Sequence, residues 1–223
     1  MKRIKLRDRI LPDYTVGEEI FNSVSHILGG VFAVFALVSC IIKSAQKGSA
    51  VSVVSSAVYG GMMILLYTVS GVYHGLKPPT AKKIMQVIDH CTIYFFIGAT
   101  YTPITLCAIS KTSKAFGYGI FLSVWLIAAF ATAFTAIDLK KYAKLSMICY
   151  IFMGWCVIVA IKPVLDSVSL NGCLLLLGGG LLYTVGAVLF CIGAKRRYFH
   201  SVFHIFVVMG SILHYLCIYN YVI

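Results

Sequence analysis

Apolar residues run almost unbroken from Phe21 to the C-terminus, in stretches of about 20 that short polar clusters interrupt. A helix of about 20 residues at 1.5 Å each matches the roughly 30 Å hydrocarbon core of a bilayer. The pattern predicts an all-α integral membrane protein with seven transmembrane helices, near residues 22–42, 52–76, 85–109, 115–136, 145–163, 170–193 and 200–222. Between them lie Lys47-Gly48-Ser49, Pro78-Pro79, Ser110 to Lys114, Asp138 to Lys144, Pro163, and Lys195 to Arg197. Thr102-Pro103, inside the third span, predicts a kink whose freed backbone groups are satisfied by hydroxyls or by neighbouring helices. Gly60-Gly61 and Gly178 to Gly180 mark places where helix backbones approach closely.

Charge then orients the bundle. With seven spans, fourteen Lys and Arg fall on one side, in the tail and at 77–83, 140–144 and 195–197. Five fall on the other, Lys43, Lys47, Lys111, Lys114 and Lys162. The excess of positive charge stays inside, so the N-terminus is expected in the cytoplasm and the C-terminus outside. Residues 1–223 read as a single seven-helix membrane domain, with 1–20 a short basic cytoplasmic tail. Pro12, Asp13, Glu18 and Glu19 break the pattern of a cleaved signal peptide, so the first span is expected to be retained.

Composition agrees: 60% of the residues are hydrophobic and 12% charged, about half the charged share of a soluble domain. The net charge of +12 would suggest nucleic acid in a soluble protein, but here it sits in loops and tail, where it sets topology. Nucleic-acid binding is not expected; the expected partner is membrane lipid. The eight cysteines are scattered through apolar segments without a CxxC pair and read as small packing residues.

A charge at the centre of a membrane helix costs at least about 2.5 kcal/mol, so each ionisable residue there needs a partner or a task. His26 lies near the start of the first span, His74 ends the second, Asp89 and His90 open the third, and His200 and His204 open the seventh. In a chain that starts inside, all of these lie at the cytoplasmic end. His200 and His204, at i and i+4, share a helix face and can reach one ion; Ser70 and His74 repeat that spacing. Three neutral histidines around zinc leave a fourth position for water, whose pKa falls towards about 7. Asp89 would hold or deprotonate that water, and Ser70 would orient Asp89 or the water, or hydrogen-bond to a substrate carbonyl.

Other polar residues are less decided. His214 is ten residues beyond His204, about 15 Å deeper, too far to share the ion, and reads as a buried hydrogen-bonding histidine. Asn22 and His26, behind Glu18 and Glu19, either support the ligands from behind or belong to the cap of the first helix. His90 points about 100° away from Asp89 and is not expected to be a ligand.

The stretches EEIFNSVSHILGG from Glu18, SGVYHGL from Ser70, IDHCTIYFFIGATYTPI from Ile88, YIFMGWCVIVAIKPV from Tyr150, GGGLLYTVGAV from Gly178 and HSVFHIFVVMGSILHY from His200 resemble the hemolysin III family. This is the bacterial branch of the progestin and adipoQ receptor group, which includes the adiponectin receptors. The resemblance implies a seven-helix fold with zinc near the cytoplasmic surface, held by the counterparts of His74, His200 and His204. It places Asp89 beside the zinc-bound water and Ser70 nearby, in a bacterial plasma membrane. It implies lipid amide hydrolysis of the ceramidase kind, whereas the long N-terminal domain of the receptors has no counterpart here. The leading expectation is a zinc-dependent hydrolase of a lipid amide or ester bond, with a part in membrane lipid homeostasis. The rival is a non-enzymatic sensor or cytolysin in which zinc ties helices together; a channel is a third reading, disfavoured by the sparse charge in spans four to six.

Overall fold

A computed structural model describes residues 4, 6–193 and 196–223. Lys2, Arg3, Lys5 and Lys195, and the side chain of Arg7, all part of the topology count, lie outside the described residues. The described residues are helical and contain no strand. The long helices are α1 (Val16–Gln46), α2 (Ala50–Gly75), α3 (Pro79–Pro103), α4 (Lys114–Ile137), α5 (Ala143–Trp155), α6 (Ile161–Gly193) and α7 (Phe199–Cys217). Among the described residues six stretches are long and apolar enough to cross a membrane: Val16–Gln46, Ala50–Gly75, Pro79–Thr112, Lys114–Ile137, Ala143–Gly193 and Phe199–Val222.

The bundle is apolar outside and finer-grained inside. On α1 the buried positions run from Glu18 through Asn22, His26, Gly29, Ala33, Ala36 and Cys40 to Ser44, in steps of three and four, so they form one stripe of small and polar residues. The opposite face exposes Val24, Leu28, Val31 and Phe35. Lipid solvates the large side chains, and small ones let backbones close on one another. A Cβ on Gly29 would stand 2.8 Å from the Tyr67 ring, and one on Gly60 would stand 2.7 Å from the Leu37 Cα. α1 and α2 come into close contact at these two glycines.

α3 is the most enclosed of the long helices. At the expected kink the helix changes type: Pro103 has no N–H to give, and the chain passes into a π turn over Ile104–Ile109. Hydroxyls cover the disturbed turn, with Thr102 donating to the Gly98 carbonyl at 2.9 Å and Thr105 to that of Tyr101 at 2.7 Å. Trp125 of α4 donates its indole N–H to Thr102 at 3.2 Å.

The long stretch from Ala143 to Gly193 departs from the expected spacing. Pro163 is not a break; it sits in the first turn of α6, where a missing N–H leaves no hydrogen bond unmade. The irregularities are a 3-10 segment at Cys156–Ala160 and Ser169, whose φ of 65° and ψ of 164° leave the helical region. That conformation is nearly exclusive to glycine and costs about 1–3 kcal/mol. Ser169 Oγ accepts from the Gly172 N–H at 3.5 Å, capping the continuing helix.

α1 begins at Val16, inside the segment read as tail, because Thr15 and Glu18 form a capping box. Thr15 Oγ1 accepts from the Glu18 N–H at 3.2 Å, and Glu18 accepts from the Thr15 N–H at 2.8 Å. The preceding tail is tied down by Asp138, which accepts from the Ile4 N–H at 2.8 Å and the Lys141 N–H at 3.0 Å. These two N–H groups hold the Asp138 carboxyl below its ordinary pKa.

Gly60→Ala is expected to destabilise the protein by about 1–3 kcal/mol through overpacking against the Leu37 backbone, read as a lower Tm in detergent. A carboxyl whose folded pKa is depressed contributes above its unfolded value of about 3.9 and loses that contribution as pH falls through the folded value. Tail docking is therefore expected to persist at neutral pH and weaken below about pH 4, whereas Asp138→Ala releases the tail at every pH. Limited proteolysis of the segment before Thr15 reports both.

Candidate metal centre

The start of α1, the end of α2 and the start of α7 meet at one end of the bundle. Glu18 makes the junction with α7: it accepts from the Tyr198 N–H at 2.7 Å and from Arg197 at 3.3 Å. Tyr198, at φ 61°, turns the chain into α7 so that His200 and His204 face inward one turn apart. His74 arrives in the last turn of α2.

His74, His200 and His204 are all buried, and their candidate ligand atoms lie within 4.8 Å of one another. His200 Nε2 is 3.4 Å from His74 Nε2 and 3.1 Å from His204 Nε2. The opposite nitrogens fix which atoms carry protons. His74 Nδ1 is 2.7 Å from Glu19 Oε2, and His204 Nδ1 is 3.2 Å from the Asn22 carbonyl oxygen. A carboxylate and a carbonyl only accept, so both Nδ1 atoms donate and both Nε2 atoms present lone pairs. His200 can offer a proton to one of these neighbours and not to both. In either tautomer of His200 at least one Nε2 lone pair at hydrogen-bond distance has no proton to meet, an arrangement that a cation among the three nitrogens resolves. This donor set can hold a metal ion.

Other groups complete the surroundings. Lys82 binds the second oxygen of Glu19 at 2.8 Å, so the carboxylate that holds His74 is itself held. Tyr14 stacks on His200 with ring centroids 5.0 Å apart, covering the site from the tail side. Burial, with the Glu19, Asp89 and Glu18 carboxylates, pushes the Tyr14 hydroxyl well above its ordinary pKa, so it keeps its proton. Asp89 of α3 and Ser70 of α2 are neighbours beside the cluster. Both line a cavity of about 250 Å³ together with His200 and His204, and the cavity continues among apolar side chains such as Phe203, Val207 and Leu176.

A family model described as "Haemolysin-III related" matches residues 14–215, which include all of these groups. The chain belongs to this family. It is 36% identical over 208 residues to "Hemolysin-3" of Bacillus cereus, covering 93% of each chain. It is 37% identical over 208 residues to the "Hemolysin-3 homolog" of Bacillus subtilis (strain 168), covering 93% of this chain and 96% of that one. A more distant likeness, 28% over 179 residues, links it to the human "Monocyte to macrophage differentiation factor", covering 75% of this chain and 70% of that one. Haemolysin-III related, with six helices of membrane-spanning length among its described residues, it is a multi-pass membrane protein.

Within this family member the expected site residues are placed as follows. His74, His200 and His204 come together, and Asp89 and Ser70 are neighbours on the cavity wall. Asn22 supports His204 through its backbone carbonyl. His26 stacks on His204 at 3.7 Å and takes no part in the cap, which belongs to Thr15 and Glu18. Its two ring nitrogens have no hydrogen-bond partner among the described residues. His90 donates to the Gln86 carbonyl at 2.8 Å and stands outside the cluster. His214 bonds the Leu176 carbonyl at 3.1 Å, also outside it. Sequence reasoning missed Tyr14 as a cover and Glu19 as the partner of His74. The signal for Glu19 was its face: Glu19, Asn22 and His26 are at i, i+3 and i+7, on one side of α1.

Carboxylates behind metal-bound histidines typically contribute 10- to 100-fold in metal affinity. Glu19→Ala is therefore expected to release metal about 10- to 100-fold more readily in a chelator titration, with Glu19→Gln intermediate because its amide oxygen still accepts from His74.

Proposed function

We propose that the protein is a zinc-dependent hydrolase of a lipid amide or ester bond, acting at the cytoplasmic face of a bacterial plasma membrane in membrane lipid homeostasis. The observation that carries this reading is a buried three-histidine cluster that shares an apolar cavity with Asp89 and Ser70. Zinc is favoured because nitrogens at about 2.0–2.1 Å around a tetrahedral ion stand about 3.3–3.4 Å apart, close to the spacings found here. Bound there, the metal supplies a polarised water and a Lewis acid for the carbonyl oxygen.

The chain's own residues do the rest. Asp89 takes the proton of the water and returns it to the leaving amine or alkoxide. Ser70 donates to Asp89, fixing which carboxylate oxygen faces the reacting centre. The cavity's apolar wall takes the chain of the substrate and keeps bulk water out. Seven spans are proposed, with the N-terminus inside. Ala143–Gly193 has 51 residues, about 75 Å of helix if straight, which is more than twice the hydrocarbon core of about 30 Å. The corner at Ser169 is where we divide it.

The ligands join α2 to α7, and this favours a second reading in which the metal is structural, in a membrane sensor or a cytolysin as the name of the Bacillus cereus relative says of that protein. Metal analysis separates the first steps: about one zinc per chain is expected in protein purified without added metal, lost in the His74→Ala, His200→Ala double variant. An unbiased lipidomic screen then decides activity. Asp89→Asn is expected to lower turnover by about 10²- to 10⁴-fold without loss of metal. Zinc-loaded protein that turns over no lipid, with His204→Ala costing only thermal stability, would establish the structural role instead.

A further inference from the structure

Away from the metal ligands the cavity has a second polar group. His214 stands ten residues beyond His204 on α7, about 15 Å along the helix, and lines the same cavity. Its ring packs directly on Gly179, where any Cβ would collide with it; the glycine run on α6 is what admits an imidazole here. His214 Nε2 is 3.1 Å from the Leu176 carbonyl oxygen. A carbonyl only accepts, so Nε2 carries the proton and Nδ1 of the uncharged ring holds a lone pair. That Nδ1 is buried and has no hydrogen-bond partner among the described residues.

Tyr183 meets the His214 ring edge-on at 5.2 Å and brings a second acceptor. Its hydroxyl is 2.9 Å from Ser211 Oγ, and the Tyr67 hydroxyl is 2.8 Å from the same atom. Ser211 gives its own proton to the Val207 carbonyl at 3.0 Å. With its one proton spent, Ser211 only accepts, so both tyrosines donate to it. Every proton in the group is committed; lone pairs remain on His214 Nδ1 and on the Tyr183 and Tyr67 oxygens, and of these three residues His214 and Tyr183 line the cavity. A pole of this kind recognises a donor. Asp89 is the one acidic residue among those lining the cavity, so an ammonium group at His214 would be a buried, unpaired charge, whereas a hydroxyl would be satisfied.

We infer that His214 and Tyr183 form a subsite for a hydroxyl carried part-way along the chain of an amphiphile whose polar end lies at the metal ligands. The inference rests on the proposed reading of the cavity as a lipid site and adds which lipid chains it selects. The hydroxyl belongs about 15 Å from the metal-facing end, which is mid-chain in an ordinary fatty acyl group.

The test is displacement of a fluorescent fatty acid from the purified full chain in nanodiscs by oleate, by ricinoleate, which has a mid-chain hydroxyl, and by α-hydroxyoleate, which has its hydroxyl beside the carboxylate. Ricinoleate is expected to displace the probe at roughly 3- to 10-fold lower concentration than oleate, as one added buried hydrogen bond gives, and α-hydroxyoleate to show no such advantage. The ricinoleate preference is expected to vanish in His214→Phe and shrink in Tyr183→Phe, with metal content unchanged in both. Should His214→Phe fail to fold, Tyr183→Phe and the wild-type series still decide. Equal displacement by oleate and ricinoleate would assign the two acceptors to water and overturn the subsite while leaving the lipid cavity standing. A preference that survives both variants would overturn it as well. A probe that never binds, or that none of the three acids displaces, would overturn the subsite and the lipid reading together.

Discussion

Two adjacent carboxylates at the start of α1 hold together the end of the bundle on which everything else depends. Glu18 binds the first backbone N–H of the α7 entry and the capping residue of its own helix, while Glu19 binds His74 of α2 and Lys82 of α3. Successive positions on a helix differ by about 100°, so neighbouring residues naturally reach different partners. One turn of α1 therefore brings three other helices to fixed positions. Without it the three histidines would belong to helices with no common reference.

The same turn settles the chemistry as well as the geometry. Because Glu19 and the Asn22 carbonyl take the Nδ1 protons of His74 and His204, both Nε2 atoms keep their lone pairs, and both stand close to His200 Nε2. Much of the ordering that a metal site requires is thus built by hydrogen bonds that also support the fold, in surroundings where an unmade hydrogen bond is costly.

Much of this was legible in the sequence. Apolar runs of membrane length, histidines at i and i+4, and the kink at Thr102-Pro103 are local patterns, and local patterns survive translation into structure. What was not legible depends on distance or context. The pairing of Glu19 with His74 joins residues 55 positions apart, and an acidic residue in a first helical turn already has an adequate local reason to be there. Pro163 was read as a break because proline usually is one, yet in a first turn it is harmless. The true corner at Ser169 lies in the polar stretch Asp166-Ser167-Val168-Ser169-Leu170-Asn171-Gly172, between the expected spans 145–163 and 170–193, and its exact residue shows itself in the dihedral angles.

That corner has a mechanical consequence. A connection made by one residue's backbone has no slack, unlike a loop, and cannot let the two halves of α6 slide independently. The part of α6 that carries Leu176, Gly179 and Tyr183 is therefore registered along the bundle axis by the part that begins at Ile161. The far wall of the cavity behaves as a ruler with a fixed zero, and the distance from the histidine cluster to the deep end is a property of the backbone rather than of side-chain packing.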